Sequence, residues 1–375
     1  MIDAEARSAR WLQAWDAQGT HRTGTEGEIT GAEWLAAEAR ALGAEVALEE
    51  FSSDRLDPVD CHLDIAGERV EGVPVFDAPV TGADGIAGSL GGDIAIVKLP
   101  PRAVYSGEFQ RLRRAGGHRA LVVVCQGDAP GMGLINAEHF RAPYGAPAIH
   151  VPSEACDIVL AAARQGVMAR LVAHGRRTPA QAINIIVALE GRDSREPPLV
   201  VMTPRSSWWQ STAERGGGIV CWLESLRALI AQSPGRDVVL TANSGHELGH
   251  LGLDDFAARR PGWDRPGGAT WIHYGANIGA FGGRLSLVSN TDDLRGLGLT
   301  ALSRAGQPPD DIPRPSQPPS GETRDIHKAG GHYLTLVGTN RLFHLPQDRW
   351  PHAVDVSAIA RIAAAGAQTV VTLSR

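Results

Sequence analysis

The chain has 375 residues, 43% of them hydrophobic and 21% charged, with a formal net charge of −6. This is an ordinary globular composition, long enough that two compact units are expected, and it argues against large disordered tracts. Acidic and basic residues are mixed along the chain, so there is no basic stripe of the kind nucleic-acid binding requires, and nucleic acid is not an expected partner.

The opening residues, Met1 to Arg7, have neither a basic n-region nor an apolar h-region, and no later apolar run reaches the roughly 18 residues of a membrane span. A cytoplasmic location without membrane contact is the expectation. The four cysteines, Cys61, Cys125, Cys156 and Cys221, are widely spaced and form no CxxC, so reduced thiols are expected rather than a disulfide framework or thiolate zinc cluster.

In chain order, residues 31–42 read as a helix, with Trp34, Leu35, Ala39 and Leu42 at helical spacing and Gly43 placed to end it. A strand over 45–51 follows. Between about residues 56 and 177 the texture changes to short strand-like pieces, 94–97, 121–124 and 148–151, with many glycines and prolines between them, which reads as a separate β-rich unit. From Ala182 the pattern alternates: strands over 184–189 and 199–202, a helix over 219–231, a strand over 237–242 and a helix from about Glu247. The expected fold class is therefore α/β: a doubly wound, mostly parallel sheet flanked by helices, with a smaller β-rich insertion and with sites at the carboxyl ends of the strands. The expected division is 1–55, 56–180 and 181–375. Residues 307–321 are dense in proline and glycine and read as an irregular loop.

Residues 244–252 read S-G-H-E-L-G-H-L-G. An HExxH zinc helix would need His246 and His250 on one helical face with Glu247 as base, but Ser244-Gly245 form a turn after a strand, and Gly249 weakens a continuous helix. Ser206, Ser207 and Ser211 with His246 and a carboxylate admit a Ser-His-acid reading, although no GxSxG elbow is present. Arg205 and Arg215 could grip a substrate carboxylate bidentately, or pair instead with Glu214 or a surface acid. Trp208 and Trp209 read as core or pocket wall.

Several segments together resemble the di-zinc aminopeptidases of peptidase family M28. They are His21-Arg22-Thr23-Gly24-Thr25-Glu26-Gly27, Asn184-Ile185-Ile186-Val187-Ala188-Leu189, Ser244-Gly245-His246-Glu247-Leu248-Gly249, and Phe343-His344-Leu345-Pro346-Gln347-Asp348, in that order. Between them, Gly92 to Val97, Ala115 to Leu121 and Tyr144 to Ile149 are similar to the protease-associated domain that many family members carry as an insertion.

The resemblance implies two zinc ions, but it also implies damage to one site. Pro204 stands where a ligand histidine is expected, and Gly275 and Ala276 stand where a ligand aspartate is expected; none of them can coordinate through a side chain. Glu214, Glu247 and His344 match the ligands of the other zinc, and His246 stands at the general base, where an imidazole titrates near neutrality. The expectation is one divalent metal, zinc by analogy, held by Glu214, Glu247 and His344, with His246 and Arg205 catalytic and His250 and Arg215 as further candidates. The implied function is hydrolysis of an amide or peptide bond in a small substrate; cyclisation of a peptide terminus, as in the single-zinc glutaminyl cyclases of this fold, is also open. The competing class is an inactive peptidase fold retained for binding or scaffolding. Sequence leaves the oligomeric state open.

Overall fold

The computed structural model describes residues 3–103, 107–193 and 195–375. Two long antiparallel strands organise the chain: β1 (Ala47–Ile65) and β8 (Met168–Leu189) pair from Ala47 opposite Ile186 to Ile65 opposite Ala169, with one irregularity between Pro58 and Asp60. Sequence showed only the first few residues of β1 and the last few of β8, because both strands are polar and half-exposed in their middle. Both strands run through the boundaries expected at 55/56 and 180/181.

The central sheet continues from β8 through β10 (Val238–Asn243), β9 (Leu199–Pro204), β11 (Thr270–Tyr274) and β13 (His332–Gly338) to β12 (Leu285–Ser289); β2 (Glu68–Glu71) lies beyond β1, and β4 (Ile86–Ser89) pairs with β8. Strands β10, β9, β11 and β13 are mutually parallel, and antiparallel partners close the sheet on both sides. The class is the α/β one expected.

Strand residues alternate between two covered faces. Leu199, Val201, Ile272 and Leu334 point into a core shared with α1 (Ala4–Asp16), α2 (Glu26–Ala41), α5 (Thr212–Ile230), α7 (Asp292–Arg304) and α9 (Val356–Leu373). Val200, Met202, Trp271 and Tyr333 point to the other face, against Phe256 of α6 (Leu251–Arg259) and Ile326 of α8 (Thr323–Ala329). Helix α1 was not anticipated; its buried stripe is Trp11, Leu12 and Trp15. Helix α9 corrects the expectation of no sufficiently long apolar run, since it is long and apolar enough by composition to cross a membrane. Much of it is buried, and it packs against α5, α7 and α1.

Between β1 and β8 the chain builds a second sheet, ordered β3 (Val73–Pro74), β7 (Ala148–Val151), β6 (Ala120–Cys125) and β5 (Ile94–Leu99). Helices α3 (Gly107–Arg114) and α4 (Cys156–Arg164) accompany it. The cores on its two sides include Val122 and Ile149 on one and Leu121 and Val123 on the other.

Helix α5 starts seven residues before the expected position, through the run Gly216-Gly217-Gly218. A Cβ at Gly217 would lie 1.9 Å from the Ile278 carbonyl oxygen, and one at Gly218 would lie 2.6 Å from Thr203 Oγ1. Glycine here is a packing requirement that outweighs its poor helix propensity. Gly217→Ala should therefore destabilise the protein by about 3 kcal/mol or more, read as a lowered urea midpoint.

His21 and His150 are both wholly buried, and burial pushes each imidazole down to about 3. The unfolded chain takes up these protons near pH 6.5 while the folded protein refuses them, so folding stability must fall as pH drops from about 6.5 toward 3. Urea midpoints measured across that range should decline, and less steeply in His150→Gln.

Candidate active site

The parallel strands end on one side of the sheet, and the segments that follow them meet there: Arg205-Ser206-Ser207 after β9, Ser244 to Glu247 after β10, Ala276-Asn277 after β11 and the turn carrying His344 after β13. Clefts at the carboxyl ends of parallel strands are where this architecture places ligands.

The HExxH string does not form a helix. His246–Leu248 is a single 3-10 turn, Gly249 and His250 both have positive φ (88° and 67°), and α6 begins only at Leu251. Glu247 is wholly buried; its Oε1 accepts from the Thr23 amide (2.7 Å) and its Oε2 from the Ser206 hydroxyl (2.6 Å). The Ser206 oxygen in turn accepts from the His246 amide (3.0 Å), and the Gly245 amide donates to Thr23 Oγ1 (2.9 Å). Glu247 thus ties the chain's opening turn to the ends of β9 and β10.

Glu214 lies in the first turn of α5, where the Asp348 carboxylate accepts from the amides of Ala213 (2.7 Å) and Glu214 (3.0 Å). Burial pushes the Asp348 carboxyl up to about 7 against those donors. The Glu214 carboxylate itself faces Arg215, whose Nη2 is 2.7 Å from its Oε1, and His344, whose Nε2 is 3.5 Å from the same oxygen. Burial works to raise its pKa, but the guanidinium and the imidazole more than offset this and hold it down to about 2. His344 sits at φ 62°, with Nδ1 donating to the Leu134 carbonyl (2.7 Å), so Nε2 is the nitrogen turned toward Glu214. Arg215 is fixed by donating Nε to the Ser206 carbonyl (2.7 Å).

His246 lines a cavity of about 280 Å3 together with Arg102, Asn136, His273, Asn277 and Phe343. Its Nδ1 is 3.5 Å from Oε1 of Glu322, a wholly buried carboxyl that accepts from Asn243 (3.1 Å) and that burial pushes up to about 7. Burial, and then the Arg215 charge, hold the His246 imidazole well below its ordinary range. His250 pairs through Nδ1 with Asp325 (2.6 Å), His273 contacts Thr323 Oγ1 (2.6 Å), and the His246 and His250 rings are 5.0 Å apart.

No protein-family model and no curated protein matches the chain. Among solved structures it is similar to a zinc aminopeptidase from Bacillus subtilis (TM-score 0.78, 16% identity, 100% of this chain and 96% of that one). Similar too are an aminopeptidase from Aneurinibacillus sp. strain AM-1 (TM-score 0.73, 15% identity, 100% and 94%) and a peptidase M28 precursor from Shewanella amazonensis (TM-score 0.75, 14% identity, 99% and 97%). The chain has the zinc aminopeptidase fold.

That fold implies a metal, and the residues present do not fit one. Of the expected ligands, Glu214 and His344 meet, but with Arg215 on the same Glu214 oxygen, and both Glu247 oxygens are committed to protein donors. A guanidinium already supplies beside Glu214 the positive charge that a divalent ion would bring. Among the described residues no group of three or more His, Cys, Asp or Glu is arranged to hold a metal ion.

Arg205, expected to face substrate, is instead buried in an ion pair with Glu28, also donating to the carbonyls of Glu28 and Ile183. Of the two readings for the arginines, pairing is the one realised, by Arg205 with Glu28 and by Arg215 with Glu214. The Ser-His-acid arrangement is not assembled either, since Ser206 donates to Glu247 and Ser207 to the Trp209 carbonyl (3.0 Å). Sequence reasoning missed Glu322, His273 and Asn277. Glu322 adjoins the Pro/Gly-rich loop, whose course no periodic pattern reveals; His273 and Asn277 flank Gly275 and Ala276, where no ligand side chain marks a site.

Losing one partner of the Arg205–Glu28 pair leaves a buried charge alone, so Arg205→Met or Glu28→Met should each cost about 3–5 kcal/mol. The double variant should recover much of that loss in a urea-denaturation cycle.

Proposed function

We propose that this protein uses the aminopeptidase fold as a metal-independent binding cleft for a small peptide or amide, and that it does not hydrolyse the bond. The observation that supports this reading is the Glu214 carboxylate set against the Arg215 guanidinium, with His344 on the same oxygen, where the fold's analogy puts a cation. An ammonium or carboxylate terminus entering the neighbouring cavity meets His246, His273 and the Asn277 amide, whose Oδ1 is buried without a partner. Unpaired buried polar groups cost free energy that a matching ligand relieves, which favours polar ligands over apolar ones. The phenyl ring of Phe343 supplies apolar wall beside them.

The test combines metal analysis, melting temperature and turnover. Protein purified without chelator should carry only substoichiometric zinc, manganese or cobalt, and its melting temperature should not rise when these ions are added. It should bind dipeptides calorimetrically without cleaving aminoacyl anilides, and Asn277→Ala should bind them more weakly. Stoichiometric metal together with peptidase turnover that disappears in Glu247→Ala would overturn the reading.

A further inference from the structure

The inserted unit contains a cavity of about 670 Å3, more than twice the volume of the one at His246 and sharing none of its lining residues. We propose that it is a binding site for a small organic polyanion, a di- or tricarboxylate or a phosphate ester. This inference does not depend on how the cleft is read.

The cavity is walled by the end of α3, the loop into β6 and the loop before β7. Its charged lining is Arg113, Arg114 and Arg119, with the imidazoles of His118 and His139 beside them and no carboxylate among the described lining residues. In a chain of net charge −6 such a one-signed concavity focuses potential toward anions.

The floor is built rather than incidental. Arg113 is 6% exposed, donates to Asp77 Oδ1 (2.7 Å), the Asp77 carbonyl (2.7 Å) and the Tyr144 carbonyl (2.9 Å), and lies 3.8 Å from the centre of the Tyr144 ring. Its Nε is buried without a hydrogen-bond partner. A donor left unmade in so ordered a guanidinium is costly unless an acceptor visits it.

Backbone shape keeps this floor open. Gly145 has φ 77°, and a Cβ there would lie 2.8 Å from the Arg113 carbonyl oxygen, so a side chain would distort the floor.

The rim can close on a ligand from several sides. Arg114 lies over the same ring, 5.2 Å from the Tyr144 centroid, and His139 meets the ring edge-on at 4.8 Å. Arg119 is tethered by Nη1 to the Ala87 carbonyl (2.8 Å), and His118 by Nδ1 to the Gly92 carbonyl (3.3 Å), which leaves the far nitrogen of that ring outside this bond. Asp77 neutralises part of this charge and is spent on Arg113, while Asp93 interacts with Arg119 from outside the lining. The volume is that of a small-molecule pocket, about 300–1,000 Å3, rather than of a surface for a folded partner. Several fixed cations set around one concavity select for ligands with more than one negative charge.

Isothermal titration of the full chain with citrate and, separately, with inorganic pyrophosphate tests the site and distinguishes the two ligand chemistries. Sodium chloride at matched ionic strength serves as the control. At least one of the two probes should bind saturably, with an affinity that falls as salt is added. Because Arg114 and Arg119 are exposed, Arg114→Gln and Arg119→Gln should fold normally, and each should weaken binding by about tenfold, the loss of one charge-assisted hydrogen bond. The melting temperature of the unliganded protein should be unchanged in both variants. Absence of saturable binding by both probes, or equal binding by the variants and the parent protein, would overturn the proposal.

Discussion

The Arg205 and Arg215 guanidinium groups lie wholly inside this protein, each set against a carboxylate that is equally buried: Arg205 against Glu28 and Arg215 against Glu214. Charges removed from water survive only in company, and removing one member of such a pair costs far more than removing both. That constraint orders the whole carboxyl edge of the sheet. Arg205 joins β9 to α2 and, through the Ile183 carbonyl, to β8; Arg215 joins α5 to the Ser206 backbone. Glu214 is thereby held ionised in the first turn of α5, where the helix dipole also favours a negative charge.

Compensation by arginine has a chemical consequence. A divalent ion is a point charge that keeps open positions for water and substrate, and it can draw three donors toward one centre. A guanidinium is planar, cannot be deprotonated in a protein and offers only donors. It can hold an anion or a carbonyl, but it cannot gather Glu214, Glu247 and His344 around itself as ligands. Glu247 is free to take another role, and its two oxygens accept from Thr23 and Ser206 to lock the opening turn against the strand ends.

How much of this could be read from the sequence depended on whether the signal was local. The runs 199–202 and 237–242 announce central strands because both faces of a parallel sheet are apolar, and residues 31–42 announce α2 by periodicity. The polar middle of β1 and β8 carries no such signal, since those residues serve a pairing between segments more than a hundred positions apart. The start of α5 was hidden by three glycines, poor helix formers that the close approach of the helix to Ile278 requires. At the site, the lack of ligand side chains at Pro204, Gly275 and Ala276 was legible only through the resemblance to the aminopeptidases. The pairing of Arg205 with Glu28 was not, because no local pattern marks a partner 177 positions away. The string S-G-H-E-L-G-H-L-G has the spacing of an HExxH motif in the wrong context: beyond the Ser244-Gly245 turn, Gly249 and His250 in left-handed conformations break the helix that motif requires.

The cleft is made by both halves of the chain, and this constrains how its shape can change. The segment 133–140, which belongs to the stretch between the two long strands, enters the site. There the Leu134 carbonyl accepts from His344 (2.7 Å), the Ala137 amide donates to the Glu247 carbonyl (2.7 Å), and Asn136 Oδ1 accepts from the Trp208 indole (3.2 Å). Glu138 then pairs with Arg324 (2.7 Å), at the start of α8 beside Glu322. Each contact fixes a residue or segment that lines or underlies the cavity at His246, so the inserted stretch is part of the wall and not an appendage. The same segment reaches the basic cavity at His139. Since β1 and β8 carry an unbroken ladder from the central sheet into the insertion, apart from the irregularity near Pro58, movement of that wall would have to bend the ladder or shear these hydrogen bonds. Backbone ladders of this length resist both, which makes a pre-formed cleft, with ligand selection by charge and shape, the mode of recognition this architecture favours.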